Sequence, residues 1–273
     1  MNKKLISILF IAFTVFINAE DFTEKNFENE SVVAVNWVQT SGEYKALAYQ
    51  AFNVAKESFL EIKKSYKGGK KLAVVVDLDE TMIDNSAYAA WRILKGKGFS
   101  SSTWDEWVNS KDAKATSGAV EFSKFVNSHG GEMFYISNRS ENELKDTMKN
   151  LKKLHFSKVN KDHILLKEKS SDKTKRRTEV IDNGYDIVMY VGDQLTDFSN
   201  EIYGRSNDYR NSFVDKNEYK FGKNWISIPN PTYGDFEGKG ISFEYYTKMI
   251  GTATSEKEKS EMRLSRLKIW DGE

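Results

Sequence analysis

The chain has 273 residues, 39% hydrophobic and 13% aromatic, which is enough apolar surface for a large core and too much for a disordered chain. Lys and Arg number 41 against 40 Asp and Glu, so a net charge of +1 gives no general pull toward nucleic acid or an acidic membrane face. There is no Cys, which excludes disulfides, thiolate-held metals, thiol catalysis and a lipid-modified Cys; with three His, any metal or phosphoryl chemistry falls to carboxylates.

In chain order, residues 1–19 come first. Lys3 and Lys4 precede an apolar run from Leu5 to Ile17, and Ala19 offers a small residue before Glu20 and Asp21. This is the pattern of a cleaved export signal, shorter than the roughly 20 residues of a membrane span, and it predicts an exported chain working in the periplasm, at the cell envelope or as a secreted protein. Its loss would move the net charge from +1 to −1. Residues 20–273 are expected to form one domain.

Glu43 to Tyr66 places Ala48, Ala51, Phe52, Ala55, Phe59 and Ile62 at helical spacing, and Lys67-Gly68-Gly69 ends the run. Leu72 to Val76 is continuously apolar and β-branched, the pattern of a strand buried on both faces. Met133–Ile136, Ile164–Leu166 and Ile187–Val191 look alike, and helical patterns at 118–128, 141–154 and 173–183 separate them. Strands alternating with helices predict an α/β fold with a Rossmann-like parallel sheet flanked by helices. Residues 84–117, with Trp91, Trp104 and Trp107, are longer than an ordinary connection and are expected to form a small helical insert capping the sheet edge.

In open α/β sheets, ligands bind beyond the carboxyl ends of the strands. The first strand runs into Asp77-Leu78-Asp79-Glu80-Thr81 and the second into Ser137-Asn138-Arg139. The third precedes Lys167, Lys169, Lys173 and Lys175, and the fourth runs into Gly192-Asp193-Gln194-Leu195-Thr196-Asp197. Several carboxylates with carbonyl and water make a hard oxygen site suited to Mg²⁺. A carboxylate beside such an ion can attack phosphorus, because the ion offsets repulsion between two anions. A hydroxyl, an amide and an ammonium can hold the equatorial oxygens, and a second carboxylate two residues on can trade a proton with the leaving group and then with water.

Asp-x-Asp-x-Thr after a buried strand, Ser137, a Lys, and Gly192-Asp193 with Asp197 are similar to the haloacid dehalogenase (HAD) superfamily. Residues 75–88 and 190–198 together more closely resemble the class C acid phosphatases, in their lipoprotein e or 5′-nucleotidase branch, over most of 32–271, including Asn230-Pro231-Thr232-Tyr233-Gly234 and Trp270-Asp271-Gly272. The resemblance implies a secreted Mg²⁺-dependent acid phosphatase acting through an aspartyl-phosphate on small phosphomonoesters, nucleoside monophosphates or nicotinamide mononucleotide first among them. It implies Asp77 as nucleophile and Asp79 as general acid and base. Asp77, the Asp79 carbonyl, Asp193 and Asp197 would serve the metal. Ser137, Asn138 and Lys173, or else Lys169 or Lys167, would hold phosphate. Trp104 and Tyr233 would stack a substrate ring. It also implies a homodimer. The lipoprotein branch carries an acylated Cys that this chain lacks, so no lipid anchor is expected.

Each residue has a plainer reading too: Asp197 and Ser137 as helix caps, the lysines as solvated charges, Trp104 and Tyr233 as ordinary packed aromatics. The basic run Lys173 to Arg177 is read as a solvated helix start beside the site rather than a patch for a nucleic-acid polymer. Two other functions fit the scaffold: a phosphatase or phosphotransferase for sugar or other small phosphates, and an exported binding protein without activity.

Overall fold

The computed structural model describes residues 22–237, 255–270 and 272; the apolar run at 1–19 and Asp271 lie outside them. In chain order the elements are α1 (Glu24–Asn29), α2 (Val32–Thr40), α3 (Gly42–Ser65), β1 (Lys71–Val76), β2 (Ile83–Asp84), α4 (Ser86–Lys95), α5 (Ser101–Ser110), β3 (Lys114–Ala115), α6 (Ala119–Ser128), β4 (Gly131–Ser140), α7 (Leu144–Lys153), β5 (Ile164–Lys167), α8 (Thr174–Asp182), β6 (Tyr185–Gly192), α9 (Asn207–Lys216), β7 (Trp225–Ser227) and α10 (Glu256–Ser265).

Five strands form one parallel sheet in the order β5-β4-β1-β6-β7. The central strand β1 shows why its sequence is apolar throughout. Leu72, Val74 and Val76 point into a core with Phe52 and Phe59 of α3 and Phe122 of α6, while Ala73 and Val75 point the other way, toward Phe134, Ile136 and Val180 of α8. Alternate side chains leave a strand on opposite faces, so both faces of β1 are apolar. Phe52, Phe59 and Phe122 are fully buried, and truncating any one of them to Ala would cost about 3–5 kcal/mol.

Local signals fix the helices that set the layers. Ser41 accepts a hydrogen bond from the Tyr44 amide at 3.0 Å, Glu43 lies in the first turn of α3, and Lys63 and Lys64 lie in its last turn, where each complements the helix dipole. The fifth strand, β7, was not expected from the sequence. Its Trp225 sits in a separate cluster, stacked on Phe198 at 5.5 Å and Phe213 at 5.8 Å.

The stretch between β1 and β4 holds α4 and α5, with β2 and β3 pairing antiparallel at its base. Its helices pack on α1, α2 and α7, and Tyr88, Phe99 and Trp104 wall a cavity over the strand tips, which Phe27 of α1 and Val35 and Val38 of α2 also line.

Candidate active site

The chain builds outward from β1 to β4 and β5, then crosses back to lay β6 on the other side of β1. The switch point between β1 and β6 opens a crevice at their carboxyl ends. Asp77 follows β1, and its amide donates to the Val191 carbonyl at 2.9 Å, so the pairing with β6 runs one residue past the strand. Asp193 follows β6.

After Asp77 the backbone turns sharply. The Leu78 carbonyl accepts from the amides of Met82 and Ile83, both at 2.9 Å, and Glu80 takes a left-handed φ of 59°. A non-glycine residue there is strained. The turn aims Thr81 back at the site, where its hydroxyl donates to Asp193 at 3.0 Å. The Thr of the motif therefore holds a carboxylate. Asp193 also accepts from Gln194 at 2.7 Å and Asn230 at 2.9 Å.

Asp77, Asp193 and Asp197 each offer a carboxylate oxygen, and these lie within 4.8 Å of one another. Lys173 donates to Asp77 at 2.5 Å and to Asp197 at 2.6 Å; Lys173 and Asp197 are buried and Asp77 is largely so. Of the three lysines the sequence left in play, Lys173 is the one in contact with the carboxylates. Asp197 serves twice, because its second oxygen also accepts from the Gln194 amide at 2.9 Å as a cap. Gly192 makes this possible: a Cβ there would overlap the Asp197 carboxylate.

The charges in this pocket do not balance. Three carboxylates face one ammonium. Burial pushes the Asp77 carboxyl well above its ordinary range; Lys173 pulls it back, and Asp197, Asp193 and Asp79 push it further. Burial and then Asp197 raise Asp193 to about 6 against the pull of its three donors. Burial lowers Lys173, but Asp197 and Asp77 more than reverse this and leave it above the ordinary lysine value. A buried, oxygen-only, net-negative cluster suits a hard divalent cation. The donor set therefore fits Mg²⁺, with Asp77, Asp193 and Asp197 in position to hold it.

The Asp79 carboxylate is not in that cluster. It turns toward Arg139, which donates through Nη2 at 2.8 Å and Nε at 3.0 Å, and toward Asn85 at 2.8 Å and the Ser137 hydroxyl at 3.2 Å. Ser137 is fully buried and accepts from the Arg139 amide at 3.1 Å. The cap of the turn at 141–143 is Ser140, not Ser137. Glu80 is buried too. Burial, then Asp79, raises its carboxyl well above the ordinary value, and it accepts from the Tyr233 hydroxyl and the Asn85 amide.

The basic run differs from its expected role. Lys175 is solvated, but Lys173, Arg176 and Arg177 are buried. Arg176 donates to the Ser137 carbonyl and to the Asn138 side chain at 2.7 Å. Arg177 donates to the carbonyls of Asp197 at 3.2 Å and Thr196 at 3.3 Å. The start of α8 clamps the end of β4 and the turn after β6, and its cations are buried because backbone carbonyls await them. No local sequence signal announces those acceptors.

Over the strand tips lies a cavity of about 740 Å³. Asp77, Asp79, Ser137, Asn138, Lys173 and Asp193 line its floor; Tyr88, Phe99, Trp104 and Tyr233 line its wall. Trp104 meets Tyr88 edge-on at 5.4 Å and Phe99 at 6.2 Å. Tyr233 is 43% exposed, with its hydroxyl held on Glu80. Both residues expected to stack a ring thus border the same cavity as the carboxylates. Beyond the expected set, the sequence reading missed Arg139, Glu80, Asn85, Gln194, Asn230, Arg176 and Arg177. Ser-Asn-Arg at the end of β4 and Asn-Pro-Thr-Tyr-Gly held the signal for Arg139 and Asn230.

Residues 8–236 match the family described as HAD superfamily, subfamily IIIB (acid phosphatase). The stem 31 kDa glycoprotein of Glycine max is 26% identical over 204 residues, spanning 73% of this chain and 70% of that protein. Acid phosphatase 1 of Solanum lycopersicum is 26% identical over 167 residues, 58% of this chain and 57% of that one. The class C acid phosphatase from Bacillus anthracis superposes with a TM-score of 0.82 at 38% identity, covering 90% of this chain and 99% of that one. Its tungstate-bound structure gives 0.81 at the same identity, covering 90% of this chain and 100% of that one.

Proposed function

We propose a substrate class and a set of residue roles for this chain, which belongs to the acid phosphatases of the HAD superfamily, subfamily IIIB, and is a phosphomonoester hydrolase. The carrying observation is the net-negative cluster of Asp77, Asp193 and Asp197 bridged by Lys173 at the switch point of the sheet. Tungstate in the Bacillus anthracis relative, an oxyanion comparable to phosphate, supports the same reading.

Asp77 attacks the phosphorus of a bound monoester, forming an aspartyl-phosphate as the bond to the leaving oxygen breaks. Lys173 and Ser137 hold phosphoryl oxygens, with Asn138 beside them, as these gain charge. Asp79 gives its proton to the leaving alkoxide and then takes one from the water that cleaves the aspartyl-phosphate. Asp77, Asp193 and Asp197, with the Asp79 carbonyl, would hold Mg²⁺, which would supply the positive charge that lets one anion approach another.

The substrates are nucleoside monophosphates or nicotinamide mononucleotide. The reason is the aromatic wall: Trp104, Phe99 and Tyr88 face the same cavity as the carboxylates, and Tyr233 stands opposite Glu80. Residues 84–117, as the insert, set this choice, and residues 1–19 export the chain. Phosphate release from nucleoside monophosphates, nicotinamide mononucleotide and a sugar phosphate tests the reading. Nucleotides should lead in kcat/KM by tenfold or more, on the scale of about 1–3 kcal/mol for one base stacked on an aromatic ring. Parity with the sugar phosphate would favour a broad-specificity phosphatase instead.

A further inference from the structure

Arg139 takes no part in the chemistry above, yet its guanidinium is among the most constrained groups at the site. It is 3% exposed. Its Nε lies 3.0 and 3.1 Å from the two carboxylate oxygens of Asp79, and its Nη2 lies 2.8 Å from Oδ1. Its Nη1 donates to the Thr147 hydroxyl of α7 at 3.1 Å, and its Cζ lies 5.5 Å from the centre of the Trp104 ring of α5. The fork is therefore held from two helices while it grips one carboxylate.

The grip is uneven. Oδ1 of Asp79 accepts from Nε and Nη2 of Arg139 and from Asn85, whose own amide oxygen accepts from the Trp107 indole at 2.8 Å. Oδ2 has only two donors, the Arg139 Nε at 3.1 Å and the Ser137 hydroxyl at 3.2 Å. Both oxygens are therefore engaged, and Oδ2 is the one on the side of Ser137, which lines the same cavity. A planar fork fixes the plane of the carboxylate it binds, which a lysine's point charge does not do.

We propose that Arg139 is a positioning residue that fixes the plane and direction of the Asp79 carboxylate, with Oδ2 on the Ser137 side, for its exchange of a proton with the leaving group. The inference rests on the reading of Asp79 as the general acid. In the first step the Asp77 oxygen–phosphorus bond forms, the bond from phosphorus to the leaving oxygen breaks, and the Asp79 carboxyl gives its proton to that oxygen. In the second step a water oxygen bonds phosphorus, the Asp77 bond breaks, and the water proton goes to the Asp79 carboxylate.

The test compares two esters by kcat/KM, which reports the steps through departure of the leaving group. Nitrophenolate leaves without a proton; ethoxide needs one. Arg139→Met should lower kcat/KM for ethyl phosphate by about 100-fold or more, the scale of general acid catalysis, and for p-nitrophenyl phosphate by less than about tenfold. Arg139→Lys, which keeps the charge but not the fork, should show the same bias with smaller losses, and it carries the test if Arg139→Met does not fold. Equal losses on both esters in the folded variants would mean a purely structural or phosphate-binding role and would overturn the proposal. Asp79→Asn separates the two levels. If it shows the ester bias and the Arg139 variants do not, the positioning role alone fails. If Asp79→Asn shows no bias, the general-acid reading fails and takes the positioning role with it.

Discussion

The floor of the cavity and its wall are made in different ways. Floor residues arrive from far apart in the chain: Asp77 after β1, Lys173 before α8, Asp193 and Asp197 after β6. They are locked by strand register and by hydrogen bonds that each satisfy a buried charge. Wall residues Tyr88, Phe99 and Trp104 come from one short insert and touch through ring contacts, the pairs of Trp104 lying at 5.4 and 6.2 Å. Buried charge is intolerant of change, because losing one partner strands the other, whereas ring contacts weaken by degrees. Chemistry should therefore fail abruptly and specificity should drift.

The largest expected effect breaks the floor. Asp77→Asn should lower kcat by roughly 10⁴-fold or more with circular dichroism unchanged, as loss of a nucleophile does. Wild-type turnover in that variant would remove the nucleophile assignment. Metal removal comes next. EDTA should silence the enzyme, and Mg²⁺ at about 100 times its Kd should restore activity and stabilise the fold by about 2.7 kcal/mol in thermal melts. The pH dependence of that gain has a definite sign. The Asp193 carboxyl is raised from 3.8 to about 6, so between those values the folded chain keeps a proton that the unfolded chain has lost. Without a cation, this group makes stability fall as pH rises through that window. A cation must displace the proton, so its stabilising effect should grow from pH 5 to pH 7. An effect independent of pH would count against Asp193 as a ligand. The smallest effect falls on the wall: Trp104→Ala should raise KM for a nucleoside monophosphate by about tenfold and for a small aryl phosphate by less. Equal rises would erase the stacking role and, with it, the contrast between floor and wall.

The same contrast governs how much the sequence revealed. β1 and β4 were legible because strands buried on both faces read as unbroken apolar runs, and β5 and β6 because their apolar runs persist although one face is only partly covered. The four aspartates were legible because they sit at fixed offsets from those runs. β7 spans three residues at an edge and has no run to read. Arg139 and Asp79 are 60 residues apart in sequence, and Arg177 reaches carbonyls 19 and 20 residues away. Sequence spacing carries the identity of a cation but not its acceptor, so a buried clamp and a solvated helix start look alike.

Gly192 contributes no functional group, yet the Asp197 carboxylate occupies the volume where its side chain would be. Position 192 is therefore mutationally tied to Asp197. No substitution can be accepted at 192 while Asp197 stays in place, and a scan of variants would score an alanine at this silent position alongside the loss of an acidic ligand. Position 192 can therefore diverge only once Asp197 has, whereas Asp197 is under no such constraint from Gly192.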